Sequence, residues 1–121
     1  PQDRSGLPAS VLVFDFLPTH KLNGLIDASL IHGGEGTVQT ACTSGAPFAG
    51  IGMQMEQKLN IEECVDFGNA LAFTMRDIRR HRIPSLVKRL LTDATLRRRA
   101  RELAALTRCT EVILRFLDNR R

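Results

Sequence analysis

The chain has 121 residues, of which 43% are hydrophobic and 25% are charged, and its formal net charge is +4 at pH 7. This length and composition predict one globular domain with its own core, and they exclude a disordered chain, a collagen-like repeat and a disulfide scaffold. No apolar run approaches the roughly 18 residues of a membrane-spanning helix, and residues 1–10 have no signal-peptide pattern. We therefore expect a cytoplasmic protein, in which Cys42, Cys64 and Cys109 are buried free thiols with no metal-ligand spacing.

The charge is divided unevenly along the chain. Residues 1–75 carry three basic and eight acidic side chains, a net charge of −5, whereas residues 76–121 carry 14 basic and five acidic ones, a net charge of +9. A basic segment of this kind is suited to nucleic acid, an acidic membrane surface or an acidic partner. The chain has no Trp or Tyr, and none of its six Phe lies in a basic stretch, so stacking on bases has little support.

The first two-thirds of the chain alternates between two patterns. Short apolar runs predict strands at 11–16, 28–32, 47–51 and 70–73. Between them, the sequence predicts a short helix or turn over 18–26 and helices over 37–44 and 55–67. Gly45 and Gly68 follow these two helices, where C-cap glycines belong. The alternation is typical of βαβ units, so we predict an α/β fold with a Rossmann-like parallel sheet and flanking helices on both faces.

The last third of the chain is predicted to be helical. Pro84 suits the first turn of one helix, and Asp93 is a suitable N-cap for a longer helix that continues to about residue 118. Apolar side chains follow one face of that helix, and most arginines lie off it. We therefore divide the single domain, 1–121, into a βαβ core of about 11–75 and a helical tail of about 76–121.

The segment with the clearest chemistry is HGGEGT, residues 32–37, between a predicted strand and a predicted helix. Ligands of parallel sheets bind at the carboxyl ends of the strands. There, glycine N–H groups, a helix N-terminus, the Thr37 hydroxyl and the His32 ring can all donate to a phosphate or diphosphate. A Walker A loop would need a Lys, and a dinucleotide fingerprint would need a small residue in place of Gln39. The alternative is that these glycines only form a tight turn.

Other predicted strand ends should open onto the same crevice. They contribute Phe16, Leu17, Thr19 and His20 from the first strand, Glu56 and Gln57 from the third, and Thr74 from the fourth. A carboxylate beside a carboxamide, as in Glu56 and Gln57, is suited to vicinal hydroxyls, because the first accepts hydrogen bonds and the second both donates and accepts them. The alternative for this pair is a solvated first helical turn.

Four motifs then follow one another in order: FLPTHKL from residue 16, HGGEGT from residue 32, GAP from residue 45 and EQKLN from residue 56. In this combination the chain resembles the donor-binding signature of family-one glycosyltransferases of the GT-B fold, which is roughly H-G-G-x-G-T, G-x-P and D/E-Q-x-x-N. The resemblance covers about residues 11–75 closely and the tail more loosely. It implies part of the C-terminal domain of an enzyme that transfers a sugar, with inversion, from a nucleotide diphosphate sugar such as a UDP or dTDP sugar.

The resemblance also implies roles for individual residues. The diphosphate would be held by His32, Gly33, Gly34, Gly36 and Thr37; the donor sugar by Glu56 and Gln57; the base by Phe16, Leu17 and Thr19; and the ribose by Thr40. Thr19 and Thr40 replace a glutamine and a glutamate that are common in the family, which leaves the nucleoside open. No metal and no cofactor is implied.

The remaining implications concern partners. In the resembled enzymes the acceptor pocket and the general base, a histidine, lie in an N-terminal domain, so no catalytic residue is assigned here and the chain alone should be inactive. Neither His20 nor His81 is assigned as a base. An exposed sheet edge should favour self-association. The alternative function is a basic module that binds RNA or an acidic protein through residues 76–101, although a solvated helix face is the simpler explanation of those arginines.

Overall fold

The computed structural model of the chain describes residues 6–15 and 17–119, with His20 and residues 108–119 described by their backbone alone. Three parallel strands form one sheet in the order β1 (Ser29–His32), β2 (Phe48–Ile51) and β3 (Ala70–Ala72). A 3-10 helix, Thr19–Leu22, precedes β1, and the strands are connected by α1 (Glu35–Thr43) and α2 (Met55–Phe67). The helices α3 (Met75–Arg79), α4 (Ile83–Thr92) and α5 (Ala94–Asn119) follow β3. The predicted α/β fold with a helical tail is therefore confirmed.

The sheet is covered on both faces, as the alternation of elements predicts. Successive side chains of a strand point to opposite faces, so Phe48 and Ala49 of β2 belong to different clusters. Phe48 packs with Val38, Ala41, Cys64 and Ala70, on the face of α1 and α2. Ala49 packs with Leu90 of α4 and Leu96 of α5 on the other face. Phe48 and Leu90 are both completely buried, and burying a side chain of this size contributes about 1.5–3 kcal/mol.

The first predicted strand, 11–16, is wrong for the part that the structure describes. Within residues 11–15 only Val13 forms a bridge, and it is an isolated one. Leu12 is 64% exposed and Val11 is 46% exposed, so these apolar side chains find no sheet to pack on. A strand is stabilised by its neighbours rather than by the propensity of its residues. The last residue of that prediction, Phe16, lies outside the described residues.

The caps of the later helices follow from short polar motifs. Asp93 accepts hydrogen bonds from the backbone N–H groups of Thr95 and Leu96, at 3.0 and 3.1 Å, which confirms it as the cap of α5. Helix α3 was not predicted. It begins with a capping box in which Thr74 and Asp77 bond reciprocally, with the Thr74 N–H 2.8 Å from Oδ2 of Asp77. That Thr-x-x-Asp spacing was the available signal for the missed helix.

Candidate functional site

The turn after β1 contains one glycine that is packed too closely against backbone for any side chain. The N–H of Gly33 donates to the carbonyl of Ile51 at 3.1 Å and so extends the pairing of β1 with β2. A Cβ atom on Gly33 would collide with the backbone carbonyl of Gln57, whereas one on Gly34 would lie 2.7 Å from Cε1 of His32, at the end of an exposed side chain. The tight-turn explanation therefore accounts for Gly33.

His32, the last residue of β1, is exposed and has a defined tautomer. The backbone N–H of Gly34 donates to Nδ1 of His32 at 3.1 Å. Because a backbone N–H can only donate, Nδ1 is unprotonated and the ring proton of this arrangement lies on Nε2. Nε2 is 3.4 Å from the hydroxyl oxygen of Thr37. The neutral ring therefore presents an N–H donor beside the first turn of α1.

The N-terminus of α1 has no side-chain cap. Its N-cap is Gly34, and the first hydrogen bond of the helix runs from the Val38 N–H to the Gly34 carbonyl at 2.9 Å. The N–H groups of residues 35–37 precede that bond and are the ones that helices leave for solvent or a ligand. Beyond its chain neighbours and the backbone of α1, no atom lies within 4 Å of the place where a Cβ of Gly36 would sit. Unlike Gly33, Gly36 has no packing reason to be glycine.

The first turn of α2 lies directly against this turn. The side-chain nitrogen of Asn60 donates to the carbonyl of Gly33 at 2.9 Å. Gln57 accepts a hydrogen bond from the Met53 N–H through Oε1, at 3.0 Å, which leaves its amide N–H groups as donors. Glu56 is exposed. The structure thus places the predicted sugar-binding residue Gln57 next to the predicted diphosphate-binding turn; Asn60 is a positioning residue to which sequence reasoning gave no role.

A groove of about 630 Å³ runs between the 3-10 helix, β1 and α1. Four predicted site residues line it: Thr19, Gly36, Thr37 and Thr40. The hydroxyl of Thr40 donates its hydrogen to the Gly36 carbonyl at 2.9 Å, and its oxygen can still accept from a ligand hydroxyl. Leu17 is 40% exposed and is not among the residues that line the groove. Phe16 and the side chain of His20 lie outside the described residues.

Among the described residues of the basic segment, five arginines form ion pairs within the protein. Ion pairs join Arg82 to Asp77 at 3.3 Å, Arg89 to Asp93 at 3.6 Å, Arg97 to Asp27 at 3.9 Å, and Arg98 and Arg99 to Glu102 at 3.6 and 2.7 Å. Arg99 also lies 3.8 Å from the ring centroid of Phe67 and donates to the Phe67 carbonyl at 2.8 Å, which holds α5 against α2. His81 is exposed in the turn before α4. These arginines are therefore used largely in the structure of the domain.

In residues 6–15, 17–19 and 21–107, whose side chains the structure describes, no three His, Cys, Asp or Glu side chains are grouped as metal ligands. None of the helices that the structure describes combines the length and the apolar character needed to cross a membrane.

Comparison with known proteins identifies relatives of one kind. A PGL/p-HBAD biosynthesis glycosyltransferase from Mycobacterium tuberculosis is 31% identical over 98 residues, which are 81% of this chain and 23% of that protein. UDP-glycosyltransferase 2 from Phaeomoniella chlamydospora is 26% identical over 113 residues, or 93% of this chain and 25% of that protein. The chain thus spans about a quarter of the length of these curated relatives.

Solved structures and a family model agree with these relatives. The glycosyltransferase SnogD from Streptomyces nogalater superposes with a TM-score of 0.63 at 28% identity, over 84% of this chain and 26% of that one. The glycosyltransferase VinC, solved in complex with DTDP, superposes with a TM-score of 0.76 at 24% identity, over 95% and 31%. The family model described as "Erythromycin biosynthesis protein CIII-like, C-terminal domain" matches residues 1–114. With this match over nearly its whole length, the chain belongs to the erythromycin biosynthesis protein CIII-like C-terminal domain family, within the GT-B glycosyltransferases.

Proposed function

We propose that the chain is the donor-binding part of a glycosyltransferase that takes its sugar from a nucleotide diphosphate sugar. In this proposal the turn His32–Thr37 binds the diphosphate, Glu56 and Gln57 bind hydroxyls of the sugar, and the groove beside α1 takes the nucleoside. Named glycosyltransferases among the relatives support sugar transfer, and a neighbour solved with DTDP supports a nucleotide at this fold. A separate part of the enzyme would supply the acceptor site and the general base.

The observation that carries the proposal is the open space at Gly36. Packing against the backbone of α2 requires glycine at 33, but nothing within 4 Å requires it at 36. A glycine in the first turn of an uncapped helix lets an anion approach the backbone N–H groups closely. The neutral His32 ring adds an Nε2–H donor on the same side, 3.4 Å from Thr37.

These N–H donors can stabilise an anionic leaving group, whereas they cannot coordinate a metal ion. When the glycosidic bond to the diphosphate breaks, negative charge develops on the departing phosphate oxygen. Preorganised N–H donors stabilise such charge without having to reorganise. On the other side, the Glu56 carboxylate accepts from sugar hydroxyls and the Gln57 amide donates to them. With the base on the opposite face of the sugar, the transfer would invert the anomeric carbon.

The test compares two alanine substitutions in α1. Gly36→Ala adds a methyl group to open space, and φ of Gly36 is not positive, so we expect unchanged or slightly raised stability, by up to about 1 kcal/mol. If the diphosphate approaches there, the affinity for UDP or dTDP should fall by about tenfold or more, a loss of ~1.4 kcal/mol. Gln39→Ala, on the exposed side of the same helix, is the matched control.

Calorimetric titration and thermal unfolding of both variants separate the two effects. Weaker nucleotide binding by Gly36→Ala alone, with stability retained, supports the proposal. Equal nucleotide binding by wild type and Gly36→Ala would contradict the proposal that the diphosphate binds at this turn.

A further inference from the structure

Cys42 and Cys64 are 22 residues apart in the chain and meet across the packing of α1 on α2. Their Sγ atoms are 3.6 Å apart, which is van der Waals contact, and both cysteines are free thiols. Cys42 is half-buried and Cys64 is 8% exposed. The sequence predicted isolated buried thiols. The structure instead brings two of them together, because one side of α1 packs on the matching side of α2.

The environment of the pair includes a polar side chain with an incomplete set of partners. Asn69 is completely buried, and its side-chain nitrogen donates to Sγ of Cys42 at 3.8 Å. In the part of the chain that the structure describes, its Oδ1 atom has no hydrogen-bond partner. An amide in this position costs stability. The contact it does make places a donor on the sulfur that would carry negative charge.

The pKa values of the two thiols are shifted in opposite directions. The hydrogen bond from Cys64, with a smaller contribution from Asn69 and against the effect of burial, lowers the pKa of Cys42 to about 7. Donating that bond raises the pKa of Cys64, and burial and the negative charges of Cys42 and Glu63 raise it further. The pair therefore favours the thiolate at Cys42 and the thiol at Cys64, and a pKa of about 7 leaves a substantial fraction of Cys42 ionised at neutral pH.

The sulfurs are reachable from outside. They line an open groove of about 390 Å³ between α1, α2 and α5. Among the described side chains, the charged groups that line this groove are Glu35 from α1 and Glu63 from α2, and α5 contributes Leu103 and Thr107. A small molecule can therefore approach Cys42, the more exposed of the two cysteines, and Cys64 lines the same groove.

From this geometry we propose that Cys42 and Cys64 form a site of reversible thiol–disulfide exchange with low-molecular-weight disulfides. The Cys42 thiolate attacks one sulfur of the small disulfide, whose S–S bond breaks, and one small thiolate leaves and takes up a proton. Cys64 then loses its proton and attacks Sγ of Cys42, which releases the second small thiol. Two protein thiols are oxidised and one small disulfide is reduced to two thiols.

The product would connect the two helices covalently. To form the bond, the sulfurs must move from 3.6 Å to about 2.05 Å, a shift that side-chain rotation and a small helix movement can provide. α1 begins at the proposed diphosphate turn, and α2 begins at the proposed sugar-binding residues. Any effect of the bond on donor binding rests on the proposed function, but the exchange site itself does not.

The test is incubation of the full chain with glutathione disulfide, followed by intact-mass measurement and maleimide counting of thiols under denaturing conditions. We expect the wild-type chain to lose two thiols and two hydrogen atoms and to carry no glutathione. Cys64→Ser should stop at one glutathione on Cys42, because no second thiol is in place. Cys109→Ser is the control and should still form the bond. Peptide mapping should identify the Cys42–Cys64 link.

Two results would overturn the proposal: a wild-type chain in which Cys42 and Cys64 both remain thiols after incubation, or a bond that involves Cys109 instead. The pH dependence of the first step provides a second readout in the Cys64→Ala and Asn69→Ala variants. Both substitutions remove a hydrogen-bond donor to the Cys42 sulfur, so the midpoint of its alkylation by iodoacetamide should move to higher pH. An unchanged midpoint in both variants would contradict the assignment of Cys42 as the attacking thiolate. Donor titration of the oxidised chain is a separate measurement, so a failure of the proposed function would leave the mass result intact.

Discussion

The side chain of Asn60 donates a hydrogen bond of 2.9 Å to the carbonyl of Gly33, across 27 positions of sequence. This bond connects the interior of α2 with the turn that leads into α1. It satisfies a carbonyl that the sheet leaves unpaired at the end of β1, and it fixes the distance between the two candidate binding elements. The proposed diphosphate turn therefore depends on a contact from Asn60, a residue to which no ligand contact is assigned.

The first prediction removes this contact. Asn60→Asp keeps the size of the side chain but cannot donate, so we expect a loss of about 1 kcal/mol or more in the free energy of unfolding. The affinity for UDP or dTDP should also fall, because the turn is no longer held against α2. Urea unfolding and calorimetric titration measure the two effects. Asn60→Gln, which keeps a donor on a longer arm, should recover part of both, and identical affinity in all three proteins would contradict a positioning role.

The second prediction concerns the Nε2–H donor of His32. In an enzyme that contains this chain, His32→Ala should lower turnover. The expected loss of transition-state stabilisation is about 2.7–4 kcal/mol, the range found when one charge-stabilising donor is removed. Stability should change less, since the ring is exposed. His32→Gln, which also offers an N–H donor, should retain more turnover than His32→Ala. If the alanine variant turns over at the wild-type rate, His32 does not stabilise the leaving group.

The fold was predictable where local pattern and tertiary environment agree. Helix α2 lies at residues 55–67 as predicted, because Ile61 and Cys64 are buried against the sheet and Gly68 ends the helix with φ of 107°. The strand prediction for residues 11–15 is wrong because an apolar run becomes a strand only beside another strand, and the sequence pattern does not show whether a neighbouring strand is present. Within the described residues these side chains have no sheet to pack against, and Leu12, for example, is 64% exposed.

The candidate site was predictable in its residues but not in its contacts. The order of the motifs places His32, Gly36 and Gln57 at the carboxyl edge of the sheet, where the structure has them. The packing of α2 against the turn after β1 decides which glycine has no room for a side chain. The packing of α1 on α2 likewise decides whether Cys42 contacts Cys64. Sequence spacing carries no information on such distances.

The third prediction concerns acid stability. The backbone N–H of Leu96, followed by that of Thr95 and by Arg89, holds the pKa of Asp93 below its usual range. A carboxyl group with a lowered folded-state pKa stabilises the protein above its unfolded pKa of about 3.9, and the stabilisation is lost as pH falls through the folded value. Asp93→Asn keeps the cap but not the charge. It should therefore unfold at a lower temperature than wild type at pH 7, with a difference that shrinks below about pH 4.

Thermal unfolding from pH 7 to pH 2 checks this prediction. Asp66→Asn removes the same charge from an exposed position of α2 and serves as the control. A constant difference between wild type and Asp93→Asn across the range would show that the carboxylate charge does not act through α5.

The last prediction is that the chain self-associates through the free edge of β1. In the described sheet β1 has a neighbour on one side only, β2. The N–H groups of Ser29 and Gly33 donate toward β2, so that of Leu30, which alternates with them, points to the open edge. Leu30 is 46% exposed. An exposed edge with an apolar side chain can pair with the edge of a second copy, and a charged residue there opposes such pairing.

Sedimentation velocity over a range of concentrations tests this edge. Leu30→Lys should shift the chain toward monomer at concentrations where wild type dimerises, without altering the hydrogen bonds between β1 and β2. Leu59→Lys makes the same exchange at a residue that is 51% exposed on α2 and should leave the association unchanged. If Leu59→Lys dissociates the dimer and Leu30→Lys does not, the contact lies on the helical face. A wild-type chain that sediments as a monomer at every concentration would mean that the β1 edge is protected in solution.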